Sequence, residues 1–134
     1  MEAKAIVNKM YENDAFSQWL GIRILEIRPG YSRLLMTVRA DMLNGFDLAH
    51  GGITYSLADS ALAFASNSQG RQAVSVETSI NHLEKLNEGT EIEAEAIEVS
   101  LKKTIGFYRI EIKTNEKLVA VFNGTVYRTN TIWE

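Results

Sequence analysis

Between Gly51 and Gln69 the chain carries a single side chain that is ionised at neutral pH, Asp59, set within the apolar run Tyr55-Ser56-Leu57-Ala58-Asp59-Ser60-Ala61-Leu62-Ala63-Phe64. A run of that length is too long for one strand, so it predicts a helix over Gly51 to Asn67. A helix that is apolar around most of its circumference has to be enclosed. The rest of the chain supplies strands to do it. Ile22–Ile27 and Leu34–Val38 flank the turn residues Pro29-Gly30, with Leu34, Met36 and Val38 on one face. After Gly70, Val74, Val76, Thr78 and Ile80 alternate with Ser75, Glu77, Ser79 and Asn81. Glu91, Glu93 and Glu95 alternate with Ile92, Ala94 and Ala96 until the phase shifts near Ile97, as a bulge would cause. Tyr108, Ile110 and Ile112 alternate with charged neighbours, Asn115-Glu116 turns the chain, and Leu118 to Tyr127 reads as a last strand, with Leu118–Phe122 buried on both faces. Helix-like spacing over Ala3 to Leu20 predicts one or two short helices, broken near Asn13-Asp14.

No alternation of helix and strand implies a parallel sheet. The fold class is therefore α+β, with an antiparallel sheet curved around one central helix and an uncovered edge strand that invites a second chain. At 134 residues the expected organisation is one domain over 1–134, with a short helical segment at about 1–18.

The net charge of −3 comes from interspersed acids and bases, and no basic face stands out to meet a nucleic acid. The absence of cysteine excludes disulfides, thiolate catalysis and cysteine metal sites, and with only His50 and His82 as histidines no metal cluster is expected. The first ten residues include Glu2, Lys4 and Lys9 and lack the apolar core of a signal peptide, so the expected location is cytoplasmic, without a membrane partner.

A carboxylate inside an apolar helix is costly unless paired or put to use. Asp59 therefore reads as a base or nucleophile, against the plainer reading that Ser56, Asp59 and Ser60 form a wet stripe on a partly exposed helix. At the helix start stands His50-Gly51-Gly52, where small residues let a substrate approach free backbone N–H groups at the positive end of the macrodipole. In outline this is a seat for an oxyanion, although His-Gly-Gly without Asp59 reads first as a tight loop entering a helix. Asn44 alone reads as a binding group or as a turn residue tolerating positive φ.

Gly51 and Asp59 are eight residues apart, roughly 12 Å along one helix. One reacting carbonyl needs both groups within about 3 Å of its atoms. Two antiparallel helices in a symmetric dimer solve the problem, each Gly51 facing the Asp59 of the other chain.

The pattern Asn44-x5-His50-Gly51-Gly52-x6-Asp59 resembles the active-site signature of hotdog-fold acyl-CoA thioesterases, particularly the phenylacetate-degradation (PaaI-like) branch. The resemblance extends over about residues 18–128 and includes Met42-Leu43-Asn44-Gly45, Ser56-Leu57-Ala58-Asp59 and Asn67-Ser68-Gln69-Gly70. It implies hydrolysis of an aryl (phenylacetyl-type) or medium-chain acyl-CoA, without metal or cofactor, by a homodimer that pairs into a homotetramer. By the same resemblance, the Gly51 amide polarises the thioester carbonyl and Asp59 of the partner attacks it or activates water. His50 and Asn44 then hold water or the thioester group, while Gly52, Ser75 and Asn81 contact substrate.

This chain departs from the family at His82-Leu83-Glu84-Lys85, where Phe-Leu-Arg-Pro is frequent, and His82 itself reads as a half-buried packing residue in phase with Ile80. Phe46-Asp47-Leu48-Ala49, just before His50, is expected to shape the acyl pocket. Two other readings are weighed. An enoyl-thioester hydratase needs a base and an acid over the α and β carbons, which a carbonyl-directed His-Gly-Gly does not provide. A non-catalytic acyl-CoA-binding hotdog protein gains nothing from an acid at position 59.

Overall fold

A computed structural model describes all 134 residues. Two short helices, α1 (Ala3–Glu12) and α2 (Ala15–Leu20), precede the hairpin β1 (Arg23–Arg28) and β2 (Tyr31–Thr37). A 3-10 turn at Ala40–Met42 and a loop lead into α3 (Gly51–Asn67). The strands β3 (Arg71–His82), β4 (Glu91–Leu101), β5 (Ile105–Thr114) and β6 (Lys117–Ile132) follow. All pairings are antiparallel, in the order β1-β2-β4-β5-β6-β3.

The central helix contacts every strand of the sheet. Six strands side by side span about 24 Å, and a helix of about 10 Å diameter reaches them all only if the sheet curves around it. This is the hotdog arrangement expected from the sequence. Eleven of the 17 residues of α3 are buried, including Leu57, Ala61, Leu62, Phe64 and Ala65. They meet Leu34, Met36, Ile92, Ala94, Tyr108, Ile110, Ile112 and Phe122 from the concave face. Ile6 and Val7 of α1 are fully buried, and Tyr11 packs edge-on to Phe64, its ring centroid 6.3 Å away. No helix is long and apolar enough to cross a membrane.

At Gly124 the helix lies tight against the sheet. A Cβ there would stand 2.6 Å from Leu62 Cδ2, so the strand needs glycine to let the helix down onto it. Gly124→Ala is expected to destabilise the fold by about 1–3 kcal/mol through overpacking, measured by chemical unfolding. Unchanged stability would mean that Leu62 has room to move.

Two sequence expectations are corrected. The last strand runs on to Ile132, and Leu118 and Val121 are only half-buried, so the Leu118–Phe122 run is covered fully on one face alone. The phase shift expected in β4 near Ile97 is present, between Glu98 and Ser100. In β3 a second irregularity falls between Ser75 and Glu77, where Ser75 faces Val126 and Glu77 faces Thr125. Val76 is the extra residue, so the simple alternation through it does not hold. The consequence is functional: Ser75, Thr78, Ile80 and His82 pair with Val126, Gly124, Phe122 and Ala120, the inward positions of β6, whereas Asn81 pairs with Val121 and faces outward.

Candidate active site

His50 caps α3. Its backbone is extended and its Nδ1 accepts the Gly52 N–H at 2.9 Å, satisfying one of the free donors of the first turn. The Gly51 N–H, by contrast, donates to nothing within the chain. Of the two glycine amides, only that of Gly51 is thus available to an incoming oxygen, at the positive end of a 17-residue helix.

The loop before it is built around Asn44. Its Oδ1 accepts the N–H groups of Phe46 (2.8 Å) and Leu48 (3.2 Å), closing a tight turn in which Asp47 has φ 60°. A backbone bond from His50 N–H to the Met42 carbonyl (2.9 Å) closes the loop on the 3-10 turn before it, and one from Ala49 N–H to the Leu86 carbonyl (2.8 Å) ties it to the segment after β3. Asn44 is therefore a turn residue and still presents its amide Nδ2, which has no partner in the chain. Between loop and segment lies a cavity of about 540 Å³ lined by Asn44, Leu48, Gly51, Thr54, His82 and Lys85, among others. His50 and Gly52 open instead on a neighbouring cavity of about 330 Å³, whose wall includes Phe16, Trp19 and Ser56. Phe16 and Trp19 stack with ring centroids 6.0 Å apart.

Asp59 sits two turns further along, half-buried. Burial, and secondarily the charge of Asp14, push its pKa above the ordinary carboxylate value, and no hydrogen bond or cation offsets them. Asp14 is committed elsewhere: it caps α2 through the Ser17 N–H (3.0 Å) and accepts from Ser17 Oγ (2.5 Å), which also meets Ser60 Oγ at 2.8 Å. Asp59 shares a cavity of about 270 Å³ with Ser75, Leu62, Ala63 and Ala73. The bulge at Val76 is what turns Ser75 toward it.

The candidate residues thus fall into separate groups within one chain. Asn44 and Gly51 line one cavity, His50 and Gly52 another beside it, and Asp59 lines a third with Ser75, roughly 12 Å along the helix from Gly51. Asn81 joins neither group. His82, expected to be half-buried packing, is exposed and stands against Gly51, and Thr54, Phe16 and Trp19 were not singled out from the sequence. The replacement of a frequent phenylalanine by His82 was the available signal for the first of these.

A sequence model of the thioesterase superfamily matches residues 46–121, from the loop before His50 into β6. The chain belongs to that family. It is a thioester hydrolase with a hotdog fold. This thioesterase is 43% identical to the acyl-coenzyme A thioesterase PaaI of Escherichia coli over 120 residues, 89% of this chain and 86% of that one. The solved structure of the E. coli PaaI protein from the phenylacetic acid degradation operon superposes with a TM-score of 0.94 at 40% identity, covering 97% of this chain and 95% of the other. A solved Thermus thermophilus protein superposes with a TM-score of 0.85 at 43% identity, over 87% and 98% of the two chains.

Proposed function

We propose that this thioesterase hydrolyses aryl or medium-chain acyl-CoA in a dimer whose two sites each combine Gly51 of one subunit with Asp59 of the other. The observation that carries the reading is a pair of unspent groups on one helix: the free Gly51 N–H and the desolvated, unpartnered Asp59 carboxylate, held too far apart to serve one carbonyl. The part of α3 left open, Gly52, Tyr55, Ser56, Asp59 and Ala63, forms a stripe down one side of the helix, suited to an antiparallel copy of itself. The edge strand β3 lies beside it with Val74 and Val76 exposed. Exposed Ile105, Phe107 and Tyr127 on the outer face support further pairing of dimers into a tetramer.

In this site the Gly51 N–H receives the thioester carbonyl oxygen, where negative charge grows as the carbon becomes tetrahedral. Asp59 of the partner either adds to that carbon or takes a proton from the water that does. The C–S bond then breaks, the thiolate leaves and is protonated, and, where Asp59 itself has added, a water cleaves the resulting anhydride to free acid and the Asp59 carboxylate. The free Nδ2 of Asn44 orients the thioester or the water, and Ser75 lies beside the carboxylate. His50 keeps the first turn in shape by occupying Gly52.

Coenzyme A as the thiol is supported by the named activity of the E. coli relative and by Lys85, the only cation lining the Gly51 cavity. Its neighbour Glu84 is already paired with Lys117 at 3.3 Å. An aryl acyl group is supported by the stacked Phe16 and Trp19 and by the operon of that relative. The test is thiol release over a panel of aryl, short, medium and long acyl-CoAs, with turnover expected for aryl or medium-chain members. No release from any of them contradicts the reading. In the same assay Lys85→Glu is expected to raise KM for acyl-CoA about three- to tenfold while leaving the corresponding N-acetylcysteamine thioester, which lacks phosphates, unchanged. An equal effect on both substrates would place the phosphates elsewhere.

A further inference from the structure

His82 ends β3 on its inward face, and its ring lies against the first residue of α3. A Cβ on residue 51 would stand 3.3 Å from His82 Nε2 and 3.6 Å from Cε1, so the ring occupies space that exists because residue 51 is glycine. Its other nitrogen, Nδ1, is 3.2 Å from Thr54 Oγ1, and Thr54 Oγ1 is 3.0 Å from the Gly51 carbonyl oxygen. Thr54 is buried at 4% exposure, whereas His82 is open to the cavity that also holds Asn44.

Thr54 has one hydroxyl proton and two acceptors within reach. The Gly51 carbonyl lies in the first turn of the helix, where the helical ladder supplies a backbone N–H donor, and does not depend on the hydroxyl. Nδ1 has no other partner in the chain. When the proton is turned toward Nδ1, that nitrogen is an acceptor and Nε2 carries the ring proton. The donor then faces the cavity beside the Gly51 N–H, with no change in net charge. The opposite arrangement presents a lone pair there, which a growing oxyanion disfavours. The distances allow sharing. The Gly51 nitrogen lies about 2.5 Å from a Cβ on the same residue, which puts it no more than about 6 Å from Nε2, and two donors each about 3 Å from one oxygen can be that far apart.

We propose that His82 is a catalytic residue of this chain, donating from Nε2 to the thioester carbonyl oxygen alongside the Gly51 amide, with Thr54 as the positioning residue that fixes its tautomer. The proposal rests on the thioester-hydrolase reading. No proton is transferred: as the nucleophile adds to the carbonyl carbon, the π pair moves onto oxygen and two hydrogen bonds meet it there.

The experiment is steady-state thiol release from the best acyl-CoA of the panel. His82→Phe is expected to lower kcat about 10- to 100-fold with KM within about threefold. His82→Gln, whose amide nitrogen can reach the Nε2 position, is expected to recover to within about fivefold of wild type. Thr54→Val lowers kcat in the wild-type background and adds nothing to His82→Phe, while Thr54→Ser, which keeps the hydroxyl, stays near wild type even if valine disturbs the helix. His82 is exposed, so its variants fold. Wild-type kcat in His82→Phe, or a glutamine variant as impaired as the phenylalanine one, overturns the role of His82 while leaving the hydrolase reading intact. Absence of turnover by the wild-type chain itself removes both.

Discussion

Asp59→Asn is expected to reduce thioester hydrolysis by roughly 10³-fold or more while raising the unfolding temperature at pH 7. The amide keeps the size and shape of the carboxyl and removes its ability to add to a carbonyl or take a proton from water. The opposite change in stability follows from the direction of the pKa shift. Burial, with the Asp14 charge second, raises the Asp59 pKa, so the folded chain holds the proton more tightly than the unfolded chain does. Above the ordinary carboxylate range the folded state carries a charge it disfavours, and stability is reduced by that preference. As pH falls through the raised folded value the penalty fades, and below about pH 4, where the unfolded carboxyl is protonated too, it is gone. The stabilisation by asparagine should therefore be present at pH 7 and absent near pH 3. Equal or lower stability at pH 7 would show that the carboxylate has a partner stabilising it, and activity within tenfold of wild type would remove Asp59 from the chemistry.

The same residue shows what the sequence makes legible. An acid alone within an apolar run has few structural explanations, and the run itself, too long for a strand, required an enclosing sheet. Period-two alternation marked the strands on both sides, because a sheet packed on one face repeats every two residues. The α3 start was readable for a similar reason: two glycines after His50 make approachable backbone at a helix start, and the structure adds that His50 caps the helix by taking the Gly52 amide and leaves that of Gly51 free.

What alternation could not reveal was a change of phase. One extra residue at Val76 reverses which side chains of β3 face inward, bringing in Ser75 and leaving Asn81 outside. A bulge is a property of strand pairing, so a reading along one strand does not contain it. The role of His82 was hidden differently. Its phase correctly placed it on the helix side of the sheet, but the inward face at the end of β3 opens into a cavity instead of the core. Asn44 posed a choice between turn and site that the structure dissolves, since one end of the amide builds the loop and the other remains free. Phe46 is 84% exposed at the tip of that loop, a position that periodicity could not assign.

The central claim is that each reaction site is divided between two chains. Asn44 and Gly51 line one cavity at the loop and helix start and Asp59 lines another on the same helix; in the proposed dimer they serve different sites. Complementation tests this directly. Asp59→Ala chains keep the loop and lose the acid, and Asn44→Ala chains keep the acid and lose both the loop bonds and the free amide. Each is expected to be inactive alone. In a dimer containing one of each, the two defects fall in the same site, leaving the other intact. Random subunit exchange of equal amounts makes half of all dimers mixed, each with one working site of two, so the mixture should recover about one quarter of wild-type activity per chain. The decisive measurement is thiol release before and after the two inactive variants are mixed and allowed to exchange, with mixed dimers verified by differential tagging. Recovery toward a quarter supports a shared site, and mixed dimers that stay as inactive as their parents would show that each chain carries its site alone.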